Sequence, residues 1–219
     1  VAKRLPRLFA GGFSPRKANP ISTQQSNKET WEDSEEALIQ NKKHSEQLHE
    51  NDFIPCLFLK GPSDKVMLHF HANGEDIALT QQLMAKIIHK CKVSVLCVEF
   101  PGYGLYKRTT MNRSKQIKQD AETVYRWLLD ECNLKEDQIL VSGRSIGSGP
   151  ATHLAAKFSP ACLSLISPIK SVKEVAVLKY GRIADFLIEE RFDNFSIAGK
   201  VTCPTVIFHG LHDNMVPYQ

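Results

Sequence analysis

No two cysteines stand two residues apart, no apolar stretch approaches the length of a membrane span, and no apolar signal-peptide core follows the start. The six cysteines, Cys56, Cys91, Cys97, Cys132, Cys162 and Cys203, are scattered, several within apolar runs where a thiol packs as a small hydrophobe. This argues against a disulfide framework and for a reducing, cytoplasmic compartment. Histidines and cysteines never fall at metal-ligand spacing, so no metal is expected. The glycine-rich "GRSIGSG" lacks the Lys-Ser/Thr ending of a phosphate loop, so no nucleotide cofactor is expected either.

A net charge of +4 gives no reason to invoke nucleic acid, but its placement is uneven. Lys3, Arg4, Arg7, Arg16 and Lys17 precede any acidic residue. Residues 1–28 therefore read as a flexible basic arm suited to an anionic membrane surface or an acidic protein assembly. "TWEDSEEALIQNKKHSEQLH", from Thr30 to His49, reads as a polar helix without a strong apolar stripe, capped by Thr30. Residues 1–52 are thus an extension. The domain proper spans 53–219.

From Phe53 the periodicity changes. "FIPCLFL", "KVMLHFHA", "KVSVLCVEF", "QILVSG", "ACLSLISP" and "TVIFHG" read as strands, the third buried on both faces. "IALTQQLMAKIIHK", "SKQIKQDAETVYRWLLDECN" and "GSGPATHLAAKF" read as helices. Alternation of this kind builds an α/β fold with a mostly parallel sheet and helices on both faces. Residues 170–200 lack a clear strand and are expected to form a small helical excursion over the carboxyl edge of the sheet, where such folds bind substrate.

Gly143-Arg144-Ser145-Ile146-Gly147 matches G-x-S-x-G between a strand and a helix. The strained strand-to-helix turn needs Gly143 and Gly147, because side chains there would collide with neighbouring strand and helix. It presents the Ser145 hydroxyl above the sheet, and the Ile146 N–H points to where an oxyanion develops.

The motif order "HFHANGED", "FPGYGLY", "GRSIGSGPA", "HGLHDNMVP" resembles the α/β-hydrolase superfamily from Phe53 onward, and within it the branch that includes acyl-protein thioesterases. The resemblance implies Ser145 as nucleophile, Asp213 as the triad acid and Asn73 as the second backbone donor of the oxyanion hole. Ala72 stands where the family usually has Gly. Asp185 and Asp193 are weaker candidates for the acid, and an Asp-Asn turn is the plain alternative for Asp213. His69 and His71 are expected to pack or to bond loop backbone. Gly102 and Gly104 of "FPGYG" read as a structural turn with no catalytic role.

Of the eight histidines none follows Asp213. His209 reads as structural, His212 as too close to Asp213 to face both it and Ser145, and His153 as packed on its own helix face. The general base is therefore expected beyond Gln219, along with a last strand and helix. A chain that opens on Val1 is accordingly expected to be part of a longer one. The function expected is a serine hydrolase cleaving an ester or thioester through an acyl-enzyme, best fitted to a long-chain acyl-protein thioesterase. Its partners would be an acylated protein or a small ester. The alternative is a non-catalytic, hydrolase-like interaction protein docked through its extension. The depalmitoylating relatives carry a cysteine-rich amino terminus, and here no cysteine precedes Cys56.

Overall fold

The computed structural model describes residues 53–107, 112–181 and 191–217. The proposed polar helix from Thr30 to His49, the basic arm and Asp185 lie outside them. Among the described residues six strands form one sheet: β1 (Cys56–Leu59), β2 (Val66–Phe70), β3 (Ser94–Val98), β4 (Ile139–Arg144), β5 (Cys162–Ile166) and β6 (Thr205–Phe208). Their spatial order is β1-β3-β2-β4-β5-β6. Only β1 runs antiparallel, with Leu57 opposite Cys97; the other four pairings are parallel.

Alternation along the strands divides the core. On β2, Val66, Leu68 and Phe70 face the larger core, and Met67 faces the other side. On β3, Leu96 and Val98 join the first and Val95 and Cys97 the second. A two-residue period sends successive side chains to opposite faces, so strands apolar throughout can be covered by helices on both.

The smaller core is closed by α1 (Ile77–Cys91) through Ile77 and Met84. Asp76 caps α1, its Oδ1 accepting the Leu79 N–H at 2.8 Å. Helix α2 (Arg113–Asp130) buries Ile117, Ala121, Val124, Tyr125 and Leu128 against the larger core. The spacing of three and four residues is one helical face. Against both α2 and β4 packs α3 (Ser148–Lys157), whose small residues Ser148, Gly149, Ala151 and Ala155 are buried and let it lie close. The expected excursion is helical where described: α4 (Val172–Tyr180) and the short α5 (Asn194–Ala198).

Parallel register aligns the carboxyl ends. Arg144 of β4 pairs with Ile166 of β5, which pairs with Phe208 of β6. Ser145, Ser167 and His209 are therefore the next residues on three neighbouring strands at one edge. Among the described residues β6 is the outer strand, with Ile207 58% and Phe208 56% exposed.

Candidate active site

Ser145 follows β4 directly and opens a single 3-10 turn, Ser145–Gly147, that runs into α3. Its φ is +51°, a left-handed backbone that L-residues adopt rarely. The surroundings leave no room for relaxation. A Cβ on Gly143 would run into the Gly147 carbonyl and the Ala151 side chain, and one on Gly147 into the Phe70 and His71 carbonyls. Strand, tight turn and helix follow one another at this serine, and Ser145 is half-buried rather than packed inside. The Ile146 N–H lies in the first turn, where no preceding carbonyl is placed to accept it.

Ser148, fully buried, holds the elbow from below. Its hydroxyl donates to the Ser145 carbonyl at 2.6 Å and accepts the Ile169 N–H at 3.2 Å and Asn194 Nδ2–H at 3.0 Å. One donor and two acceptor positions are thereby all used. Asn194 also donates to the Ile169 carbonyl at 2.9 Å, so the excursion is tied to the turn that carries the serine.

The second loop follows β2. His71 to Glu75 form a turn closed by the Glu75 N–H to the Ala72 carbonyl at 3.2 Å, with Gly74 at φ +79°. The Ala72 N–H is already spent, donating to Glu75 Oε2 at 3.1 Å. Asn73 is exposed, and its N–H has no partner among the described residues. Its side chain is held: Tyr103 O–H donates to Asn73 Oδ1 at 2.5 Å. Arg144 contacts Glu75 Oε1.

His71 is completely buried. Nδ1 donates to the Ala72 carbonyl at 2.9 Å, and Nε2 lies 2.9 Å from Glu99 Oε1. The Glu99 carboxylate also receives the Phe100 N–H at 3.2 Å and the Ile77 N–H, from the first turn of α1, at 3.3 Å. Gly104 is required beside it, because a Cβ there would strike the Glu99 carboxylate.

Asp213 lies in the loop after β6, two strands from Ser145, roughly 10 Å along the edge by ordinary strand spacing. Its Oδ1 accepts the Met215 and Val216 N–H groups, both at 2.9 Å. Those bonds, that of Val216 first, together with the Ser167 hydroxyl and nearby His209, hold its carboxyl below the usual range. The Asp-turn geometry is real, and it fixes the carboxylate while Oδ2 lies 3.8 Å from His209 Nε2.

The remaining histidines have other duties. His69 is buried with Nδ1 3.2 Å from the Ser142 hydroxyl, and burial pushes its pKa down to about 3. His209 Nε2 donates to the Val216 carbonyl at 2.6 Å. His212 and His89 are exposed. His153 departs from expectation: rather than packing on its own helix it reaches Glu122 of α2 at 2.7 Å, beside Lys157. Asp193 is the amino-terminal cap of α5, accepting the Ser196 N–H at 3.0 Å, which leaves it no part in a triad. Among the described residues no imidazole is hydrogen-bonded to Ser145. Those residues also hold no cluster of groups fit for a metal, and all six cysteines are free thiols. Burial pushes Cys97 and Cys132 up to about 12, so neither is a nucleophile at neutral pH.

Five residues of the site were not singled out by the sequence: Arg144 and Glu75, Tyr103 and Glu99, and Ser148. Tyr103 lay in a stretch, Phe100 to Gly104, whose glycines looked sufficient as a turn. The clue available was a carboxylate, Glu99, ending an otherwise apolar buried strand.

A mostly parallel sheet with an antiparallel first strand and a serine on a positive-φ turn after its central region are the marks of an α/β-hydrolase fold. The comparisons agree. The chain is 25% identical over 168 residues to alpha/beta hydrolase domain-containing protein 17B of Homo sapiens, covering 76% of this chain and 57% of that protein. Its fold matches an esterase from Pyrococcus furiosus with a TM-score of 0.59 at 17% identity, over 75% of this chain and 68% of that one. It also matches an alpha-beta serine hydrolase homologue from Coxiella burnetii with a TM-score of 0.53 at 16% identity, over 75% and 72%. No family model matches the chain. The chain has the α/β-hydrolase fold and is similar in sequence to alpha/beta hydrolase domain-containing protein 17B, spanning just over half the length of that human relative, 57%.

Proposed function

We propose that this chain carries the catalytic core of a serine hydrolase that cleaves long-chain acyl thioesters on proteins. The observation that carries the reading is the strained Ser145 turn, φ +51°, flanked by glycines that no side chain can replace. In this reading the Ser145 oxygen attacks the acyl carbonyl and its proton passes to an imidazole oriented by Asp213. That histidine lies outside the described residues. The Ile146 and Asn73 N–H groups receive the negative charge of the tetrahedral intermediate. Collapse breaks the C–S bond, the imidazolium gives its proton to the departing thiolate, and water then hydrolyses the acyl-enzyme by the same route.

The acyl preference draws support from the rim. Leu105, in the loop after β3, and Leu211 and Met215, in the loop after β6, are 72%, 73% and 68% exposed at the carboxyl edge of the sheet. An apolar rim suits a long acyl chain better than a polar substrate. The test is turnover by the full-length protein on a palmitoyl-cysteine peptide against a short-chain ester. The reading predicts hydrolysis of both, faster on the long chain, and none above background in Ser145→Ala. Equal turnover in that variant would remove the serine from the mechanism; no turnover by the wild type would favour the non-catalytic interaction protein.

A further inference from the structure

We propose that Arg144 and Glu75 form a positioning pair that sets the distance between the two halves of the oxyanion hole; the inference rests on the hydrolase reading above. Arg144 immediately precedes the nucleophile. Its guanidinium contacts Glu75 Oε1, and the other oxygen of the same carboxylate accepts the Ala72 N–H at 3.1 Å. Three links therefore run from the elbow to the second loop: the peptide bond to Ser145, the ion pair, and the hydrogen bond to Ala72. Each hole donor lies one residue beyond an end of this bridge, Ile146 after Ser145 and Asn73 after Ala72.

The bridge also decides which amide serves. With the Ala72 N–H engaged by Glu75, the next one, on Asn73, is left to face a substrate oxygen. The opposite side of the turn is anchored separately, by Tyr103 on the Asn73 side chain and by Glu99 on His71. The Arg144–Glu75 link is the side-chain link from this turn to the residue before the serine. Ala72 itself is buried at 8% exposure and its amide is pinned by a side chain three residues on.

The side chains of Arg144 and Glu75 are 42% and 24% exposed. Ion pairs open to solvent to this degree add little to global stability. An effect on geometry is a different matter, because loss of one oxyanion donor slows an acyl transfer by about 100- to 1,000-fold, and small misplacements weigh heavily. The pair therefore separates turnover from stability.

The test uses the full-length protein with Arg144→Ala, Glu75→Ala, the double variant and Arg144→Lys. Four quantities are read: kcat, KM, the melting temperature and the affinity of a trifluoromethyl ketone, which forms a tetrahedral adduct. The proposal expects each alanine variant to lose about 10- to 100-fold in kcat with KM little changed. Ketone affinity should fall in parallel and melting should stay within a few degrees. The double variant should be no slower than the slower single, and Arg144→Lys should recover part of the loss. Single variants with wild-type kcat would overturn the pair, as would losses that multiply in the double variant or fall wholly on KM. A wild-type protein with neither turnover nor ketone adduct would instead overturn the hydrolase reading, and this inference with it.

Discussion

At the scale of the residue, backbone strain and burial decide what each group can do. Holding Ser145 at φ +51° costs about 1–3 kcal/mol, which the packing beneath it must supply. Gly147→Ala places a methyl against the Phe70 and His71 carbonyls, backbone atoms that cannot step aside. Denaturant titration should show a loss of about 1–3 kcal/mol, and reaction with serine-directed probes should fall with it. Asp213→Asn keeps acceptors for the Met215 and Val216 amides but removes the charge, so the fold should survive while kcat drops by about a thousandfold or more. The folded carboxyl lies below its unfolded value, near 3.9, so its contribution to stability is present above that pH and is lost as pH falls through the folded pKa. An acid limb of kcat/KM between pH 5 and 8 would therefore report the imidazole rather than Asp213.

His69 acts in the same direction but through a different cause, burial of a neutral imidazole. Its folded pKa of about 3 lies below the 6.5 of an unfolded histidine, so the unfolded chain binds the extra proton first as pH falls. Stability should be complete above about pH 6.5 and decline below it, with a slope approaching 1.4 kcal/mol per pH unit at about pH 4–5. Urea titrations from pH 4 to 8 on the wild type and His69→Gln check this. The variant should show the shallower slope whatever its absolute stability.

At the scale of the element, strands and helices were readable because each alternation has a physical cause. A run such as "SVLCV" has both faces covered by helices, and α2 shows a stripe at three- and four-residue spacing. The glycines of the elbow were readable because a turn of that shape admits no Cβ at Gly143 or Gly147. What was not readable depends on contacts across distant sequence. Nothing local announces that Tyr103 will meet Asn73, that Asn194 will reach Ser148 from 46 residues away, or that His153 will cross to Glu122. The Ser148–Asn194 contact has its own consequence. Asn194→Leu would leave the Ile169 carbonyl unpaired and one side of the Ser148 hydroxyl without its donor, at a cost of about 1–3 kcal/mol in unfolding free energy. Because the same hydroxyl holds the Ser145 carbonyl, probe reactivity should fall as well.

At the scale of the whole molecule, one edge of the sheet gathers the chemistry. Register alone brings Ser145, Ser167 and His209 side by side, and the loops after β2 and β6 add the turn of Asn73 and the carboxylate of Asp213. For the basic residues before Glu29 we propose an anionic membrane surface as partner, on their charge alone. Full-length protein should sediment with vesicles containing phosphatidylserine at low salt and be released at high salt. Sedimentation indifferent to salt and lipid charge would assign the arm another role.

The most direct measurement is peptide mass spectrometry after treatment of the full-length protein with a fluorophosphonate. The account predicts a single stoichiometric adduct on the peptide containing Ser145, absent from Ser145→Ala and formed far more slowly in Asp213→Asn. A reactive protein whose adduct sits on another residue, or persists in Ser145→Ala, would contradict it.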